Sequence, residues 1–376
     1  MTHSSKQDLI AHYRKSYLGG SKAEKTRIIN LISESTSYSR KHIIALFAAK
    51  PKRKSKKVRN RPSKYIHLLS HLKKVWSSSN FICGKRLKPF MTDMLDSLIW
   101  HNEINISYDD KLLLLSMSAA TIDRLLSSAK REYMLKGKST TKPGTLLKHQ
   151  IPIRTFADWN EAAPGFLEID LVAHCGTSLR GEYLNTLTMT DINTSWTICT
   201  AFMGKSQCFT VEAIEESKSL FPFPILGIDS DNGAEFINGN LSRYCNENKI
   251  TFTRSRPYKK NDSAHVEQKN WDIVRKMIGY NRYDTYEQLE ILKQIHLLLN
   301  YYQNYFQPSQ KLVSKTRKGA KVTKQYDLAQ TPMQRLISQQ MTSEQTKQLL
   351  TNNYNNLNPA QLLRDINKLV NELIKT

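Results

Sequence analysis

Four runs between Phe166 and Asp229 constrain the fold of this chain more than any other feature: FLEIDLV, EYLNTLTMT, SWTICTAF and PILGID. They are short, alternating or apolar, and rich in Leu, Ile and Thr, the signature of strands in a well-covered sheet. A helical pattern, Thr210–Leu220, lies between SWTICTAF and PILGID. After PILGID come a second helix, Ala234–Asn246, a short strand, ITFTRS, and long helices from near Ser263 and Thr285. Three strands, helix, strand, helix, strand, helix predicts a mixed α/β domain whose single sheet is covered on both faces.

Acidic side chains interrupt this pattern at three places. Asp170 stands among core-type neighbours, and Glu168 shares its strand face because side chains alternate. Asp231 follows PILGIDS and precedes Asn232-Gly233, a tight-turn dipeptide, so its carboxylate is expected at a strand's carboxyl end, where open α/β sheets place ligands. Asp229 is its rival on the same face. Glu267 lies one turn into a helix that Asn261, Asp262 or Ser263 can cap, with Val266, Ile273, Val274 and Met277 as the buried face. Singly, each acid reads as a cap, a solvated residue or a surface ion pair. Jointly, three hard oxygen donors from separate elements suit Mg²⁺ or Mn²⁺.

The charge balance points to a polyanionic partner. Lys and Arg number 56 against 33 Asp and Glu, a formal charge of +23, an excess that repels itself unless nucleic acid or an anionic membrane neutralises it. Apolar runs such as Leu112–Leu115 and Leu297–Leu299 are far too short to span a bilayer, and the first twenty residues hold no stretch resembling a secretory signal. The five cysteines are scattered and never paired as CxxC, so buried reduced thiols are expected rather than disulfides or a zinc knuckle. No GxxxxGK(S/T) phosphate loop is present, which disfavours a nucleotide-driven enzyme.

Ahead of the α/β domain, residues 1–50 read as three short helices. The third carries Arg40 and Lys41 near its start, as in a helix-turn-helix module that enters a major groove. Residues 51–64 form a basic linker holding Arg53, Arg59 and Arg61, with eight basic side chains and no acidic one from Lys52 to Lys64. Residues 65–135 repeat the helical pattern. Ser118 is the expected cap of a last helix presenting Arg124, Lys130 and Arg131, so a second DNA-reading module is expected there. Residues 136–160 read as a linker and 161–308 as the α/β domain. A basic segment and a terminal helix capped at Asn358–Pro359 complete 309–376. Leu362, Ile366, Leu369 and Leu373 stripe that last helix, for docking or for packing within the chain.

The acidic trio resembles the D,D-35-E catalytic domain shared by retroviral integrases and bacterial insertion-sequence transposases. Ser230-Asp231-Asn232-Gly233-Ala234-Glu235-Phe236 matches the family's (S/T)DNGxEF motif, and Glu267 follows Asp231 with 35 residues between. RPYKKNDSAHVEQKNW is similar to the loop-to-helix segment of bacterial insertion-sequence transposases. The resemblance selects Asp231 over Asp229 and Asp170 over Glu168. It implies a ribonuclease H-like fold with Asp170, Asp231 and Glu267 as catalytic, metal-ligating residues holding two Mg²⁺ or Mn²⁺ ions. Asn232, Gly233 and His265 would support them, and Lys259, Lys260 and Lys269 would contact phosphates. Asp191, Asp262 and Glu235 are read as structural.

The resemblance further implies a DNA transposase or integrase that frees a 3′-OH and joins it to target DNA. It would work as a homodimer or larger synaptic multimer on terminal inverted repeats, in the bacterial cytoplasm at the nucleoid. A ribonuclease H-like nuclease that does not join strands shares the trio, and a DNA-binding repressor with an inactive catalytic domain is the alternative from the binding class. The HHCC zinc head of retroviral integrases is absent, since no Cys precedes Cys83.

Overall fold

Threonine at every second position of LNTLTMTD decides how the central sheet is used. In the computed structural model, which describes residues 1–49, 63–130, 153–154, 163–204, 207–230, 236, 239–255, 269–318 and 321–376, this run is buried along its whole length. The described strands are β1 (Ile153–Arg154), β2 (Phe166–Ala173), β3 (Leu184–Asp191), β4 (Thr197–Met203), β5 (Gly227–Ser230) and β6 (Thr251–Ser255). They form one six-stranded sheet in the order β1-β6-β5-β2-β3-β4. β2, β3 and β4 pair antiparallel, whereas β5, β6 and β1 run parallel to β2. The mixed α/β layout expected from the sequence is borne out. β1 was not expected: it falls in the 136–160 stretch read as linker, because a two-residue edge strand carries no period to detect.

Register sorts the side chains. Glu168 lies opposite Thr190 and Asp229, Asp170 opposite Thr188, and Val172 opposite Thr186, while Thr190 and Thr188 face Thr197 and Cys199 of β4. Paired residues share a face, so carboxylates and hydroxyls line one side of the sheet. Leu167, Ile169, Leu187, Met189 and Ile198 line the other. α9 (Gln207–Ser217) sits on the apolar side, where Phe209 meets Phe202 at 6.5 Å. α10 (Gly239–Glu247) packs between α9 and β6. The polar side is covered by a helical segment, Asn270–Arg275 wound as a π-helix and continued by Lys276–Ile278, and by α11 (Tyr286–Phe306), which the Thr285–Gln288 capping box opens. α11 lays His296 beside Thr186, their Nε2 and Oγ1 atoms 3.2 Å apart, and His174 Nε2 lies 2.8 Å from the same hydroxyl.

α11 also closes the β4 edge. Asn300 accepts from the Cys199 N–H at 2.8 Å and donates to its carbonyl at 3.0 Å; Asn304 does the same for Thr197, at 2.8 Å each. Four residues along a helix advance about 6 Å, close to the rise of two residues in a strand. Two amides one helical turn apart therefore replace the missing neighbour strand.

Residues Met1–Pro62 and Ser63–Thr376 form two separate units. In the first, α1 (His3–Gly19), α2 (Lys22–Thr36) and α3 (Arg40–Ala48) are each entered through a hydroxyl cap, from Thr2, Ser21 and Ser39. Ile10, Ile28, Ile29, Ile32, Ile43 and Phe47 make their own core. Arg40 and Lys41 are exposed, and the Arg40 guanidinium donates to Asn30 Oδ1.

The second unit begins with α4 (Leu69–Ser78), α5 (Gly84–Trp100), α6 (Tyr108–Leu115), α7 (Ala119–Leu125) and α8 (Ser127–Lys130). Ser118 caps α7 through the Thr121 N–H at 3.2 Å. These helices share one continuous core with the sheet and the C-terminal helices. Asn80 and Phe81 adopt positive φ of 52° and 62° in the turn after α4. Tyr302 and Gln307 donate to the Ser78 and Ser79 carbonyls at 2.8 and 3.1 Å, and Lys276 to Asn80 at 2.8 Å.

After α11 the basic stretch is a hairpin, β7 (Leu312–Lys318) and β8 (Lys321–Tyr326), followed by α12 (Pro332–Ile337), α13 (Glu344–Asn356) and α14 (Pro359–Lys375). Asn358 caps α14 through the Ala360 and Gln361 N–H groups. Leu362, Ile366 and Leu373 are buried, and α14 packs on α11, so the stripe serves packing within the chain. Among the described residues no helix is long and apolar enough to cross a membrane. Cys175, Cys199 and Cys245 are buried free thiols, and Cys83 is exposed.

Two stability predictions follow from this packing. Asn300→Ala or Asn304→Ala strips two partners from the β4 edge and should cost about 1–3 kcal/mol each in urea unfolding. A loss within error of zero for both would refute the edge role. Burial holds both imidazoles below their ordinary range, His296 at about 3. The unfolded chain protonates near pH 6.5 while folded His296 stays neutral, so stability is full above that pH and falls as acid is added. The His296 share is about 2 kcal/mol lost by pH 5. His296→Gln should flatten the dependence of the urea midpoint between neutral pH and pH 5; an unaltered dependence contradicts it.

Candidate active site

Asp170 lies on β2, partly open to solvent. Its Oδ1 accepts from the Leu171 N–H at 2.8 Å, and its Oδ2 accepts from the Asn270 amide at 2.6 Å. These two bonds orient the carboxylate. Asn270 opens the π-helical segment three residues after Glu267. On the other side, β5 runs parallel to β2 and ends at Ser230, which pairs with Ile169 one residue before Asp231. The chain neighbours of the second and third acids thus reach Asp170 from two separate elements.

Asp231 and Glu267 themselves lie outside the described residues, together with Asn232, Gly233, Lys259, Lys260, His265, Arg53, Arg59, Arg61 and Arg131. Among the described residues no group of three or more His, Cys, Asp or Glu side chains forms a metal-binding cluster.

The rival acids are placed differently from Asp170. Glu168 is fully buried and Asp229 is 2% exposed. Asp229 Oδ1 accepts from Thr253 Oγ1 at 2.5 Å, tying β5 to β6. Asp191 pairs with Leu167, at the far end of β2 from Asp170, and accepts from the Gly165 N–H and from the N–H and hydroxyl of Thr194 at 2.6–2.8 Å. Burial pushes its carboxyl up, against the pull of those donors. It closes the β3–β4 turn.

Of the basic residues expected to meet phosphate, Arg124 is exposed and donates to Thr121 Oγ1 at 3.1 Å, and Lys130 is paired with Asp123 at 2.5 Å. Lys269 is buried, 9% exposed, with its charge felt by the Cys199 thiol on β4. Burial pushes that thiol up to about 12, which leaves it unreactive. Asn270 is the residue that sequence reasoning missed. Its sequence signal was the three-residue spacing from Glu267.

The comparisons agree with this architecture. A family model described as "Integrase core domain" matches residues 160–260, so the chain contains an integrase catalytic core with a ribonuclease H-like fold. Over 329 residues it is 36% identical to the uncharacterized protein y4rM of Sinorhizobium fredii, covering 86% of this chain and 92% of that protein. The chain belongs to one family with that protein, and the matched region is an integrase core domain.

Solved structures similar to the chain include the HTLV-2 integrase catalytic core domain in complex with magnesium, in a dimeric form. That match has 16% identity, covers 39% of this chain and 90% of that one, and has a TM-score of 0.30. The catalytic core domain of BIV integrase matches at 16% identity over 46% of this chain and 93% of that one, with a TM-score of 0.31.

Removing the Asn270 amide should uncouple the helical segment from β2. A double-mutant cycle of Asn270→Ala and Asp170→Ala, read by urea unfolding, should give a coupling of about 1 kcal/mol or more. Strict additivity would refute the contact.

Proposed function

We propose that this protein is a DNA transposase that cleaves at the ends of a mobile element and joins the freed 3′-OH to target DNA. The observation that carries the reading is the hydrogen bond from Asn270 to Asp170 beside the parallel β2–β5 pair. It brings the flanks of Asp231 and Glu267 to the one partly open carboxylate on the sheet's polar face. Asp170, Asp231 and Glu267 supply hard oxygen donors, the set that suits Mg²⁺ or Mn²⁺. When bound, such ions would polarise the attacking hydroxyl or water and offset charge on the leaving oxygen. The protein's own part is positioning. Asn270 and the Leu171 N–H fix the rotamer of Asp170, and the buried hydroxyl face beneath it holds the strand rigid.

DNA is the substrate that the charge of +23 favours. The exposed Arg40 and Lys41 at the start of α3 suit major-groove reading by the first unit. Arg53, Arg59 and Arg61 of the linker would track phosphates, as would Arg124, Lys130 and Arg131 of the second helical block and Lys259 and Lys260 beside the site. Two element ends must meet, so a dimer or larger synaptic assembly in the bacterial cytoplasm belongs to the reading. The buried Lys269 is better suited to holding the helical segment on the sheet than to reaching phosphate.

The test is strand transfer with the full chain, labelled element-end DNA and Mg²⁺ or Mn²⁺. Asp170→Asn, Asp231→Asn and Glu267→Gln should each cut joining by more than about 100-fold, since loss of even a supporting residue around a metal costs 10–100-fold. DNA binding should persist. Cleavage without joined product would favour a plain nuclease, and absence of metal-dependent cleavage in the native chain would favour a repressor.

A further inference from the structure

The stretch from Lys311 to Tyr326 contains six basic side chains and no acidic one. Its register in the β7–β8 ribbon sets Lys315 opposite Lys324 and Lys318 opposite Lys321. Like charges directly opposite one another weaken a strand pair, and a lone two-stranded ribbon is marginal to begin with. Core burial does not compensate, because Val313, Thr316 and every residue from Val322 to Tyr326 are exposed. Lys315, Arg317 and Lys324 fall on one face by alternation, and Lys318 and Lys321 on the other, beside the turn.

The base of the ribbon, by contrast, is firmly held. The Lys311 N–H donates to Asp327 Oδ1 at 2.6 Å, and the Asp327 N–H donates back to the Lys311 carbonyl at 3.0 Å. Arg335 binds Asp327 at 2.7 Å and the Ser309 carbonyl at 2.8 Å. The Lys311 ammonium donates to the Ile192 carbonyl in the β3–β4 turn at 2.7 Å. A rooted arm that sets positive charges opposite one another is an arrangement that a polyanion would relieve.

We infer that β7–β8 is a second contact for double-stranded DNA, in which Lys315, Arg317, Lys318, Lys321 and Lys324 neutralise phosphates while the ribbon follows a groove. A two-stranded ribbon fits the major groove of B-form DNA, about 12 Å wide, whereas the deep narrow groove of A-form RNA does not admit it. The ribbon is rooted at the Asp191 end of the sheet, where Leu167 pairs, and not at the Asp170 end. It therefore adds grip outside the acidic site. The inference rests on the proposed DNA substrate but not on the cleavage chemistry.

The test uses the full chain and a labelled duplex of about 30 base pairs, titrated from about 50 to 200 mM salt. A variant carrying Lys315→Gln, Arg317→Gln, Lys321→Gln and Lys324→Gln should fold with unchanged or raised thermal stability. Its slope of log affinity against log salt should fall by roughly 3 to 4, at about 0.9 for each phosphate no longer neutralised. Lys324→Gln alone, at an exposed position, should lower the slope by about 1 and serves if the fourfold variant does not fold. An unchanged slope and affinity in a folded variant overturns the ribbon while leaving the transposase reading intact. A native chain with no affinity for duplex overturns both. Equal or tighter binding of an RNA duplex, or of phosphatidylserine vesicles, through these same residues overturns the assignment to DNA.

Discussion

A sheet face lined with Glu168, Asp170, Asp229 and five threonines can be covered only if its polar groups find partners. An unpaired buried donor or acceptor costs about 1–3 kcal/mol, and a buried charge costs more. The rest of the second unit is arranged around that requirement. Thr190 meets Thr197 at 3.2 Å, Thr186 lies between His174 and His296, and Thr253 serves Asp229. Helices can then lie directly on this face. One position, Asp170, stays partly open, and a neighbouring amide reaches it instead of a hydrocarbon. A carboxylate is thereby held on a sheet strand without being sealed into the core.

Period accounts for what the sequence made legible. Alternation in FLEIDLV and LNTLTMTD survives burial because each strand presents a different chemistry to each face, so the strands themselves could be read. Cap chemistry was equally readable: Ser118 and Asn358 sit where the chain begins a helix, and the structure uses both. β1 could not be read, since two residues make no pattern. The hairpin after α11 also escaped, because its residues alternate basic and small polar rather than polar and apolar. It is exposed on every described side and was therefore indistinguishable from a basic tail.

For the site, resemblance supplied what pattern could not. By alternation alone Glu168 and Asp229 were as good as Asp170 and Asp231, and the (S/T)DNGxEF match chose between them. Burial gives that choice a physical basis on β2: Glu168 is sealed at the level of Asp229, and Asp170 lies two residues further toward the open end. Asn270 went unnoticed for a general reason. An Asn on a helix reads as solvated surface unless the strand beneath it is known to carry a carboxylate within reach.

The same blindness covered the element that integrates the unit. Along α11, Asn300 and Asn304 finish the sheet edge, His296 touches the sheet face, and Tyr302 with Gln307 beyond its end hold the strained turn after α4. From composition these polar residues argue for an exposed helix; in the structure His296, Asn300, Tyr302, Asn304 and Gln307 are all buried. Each has a backbone or hydroxyl group as its target, and such targets carry no side-chain signature in sequence. A single helix can then set the sheet and the preceding helical block in fixed register. That coupling joins the integrase-core sheet and the helices outside it into one packed body.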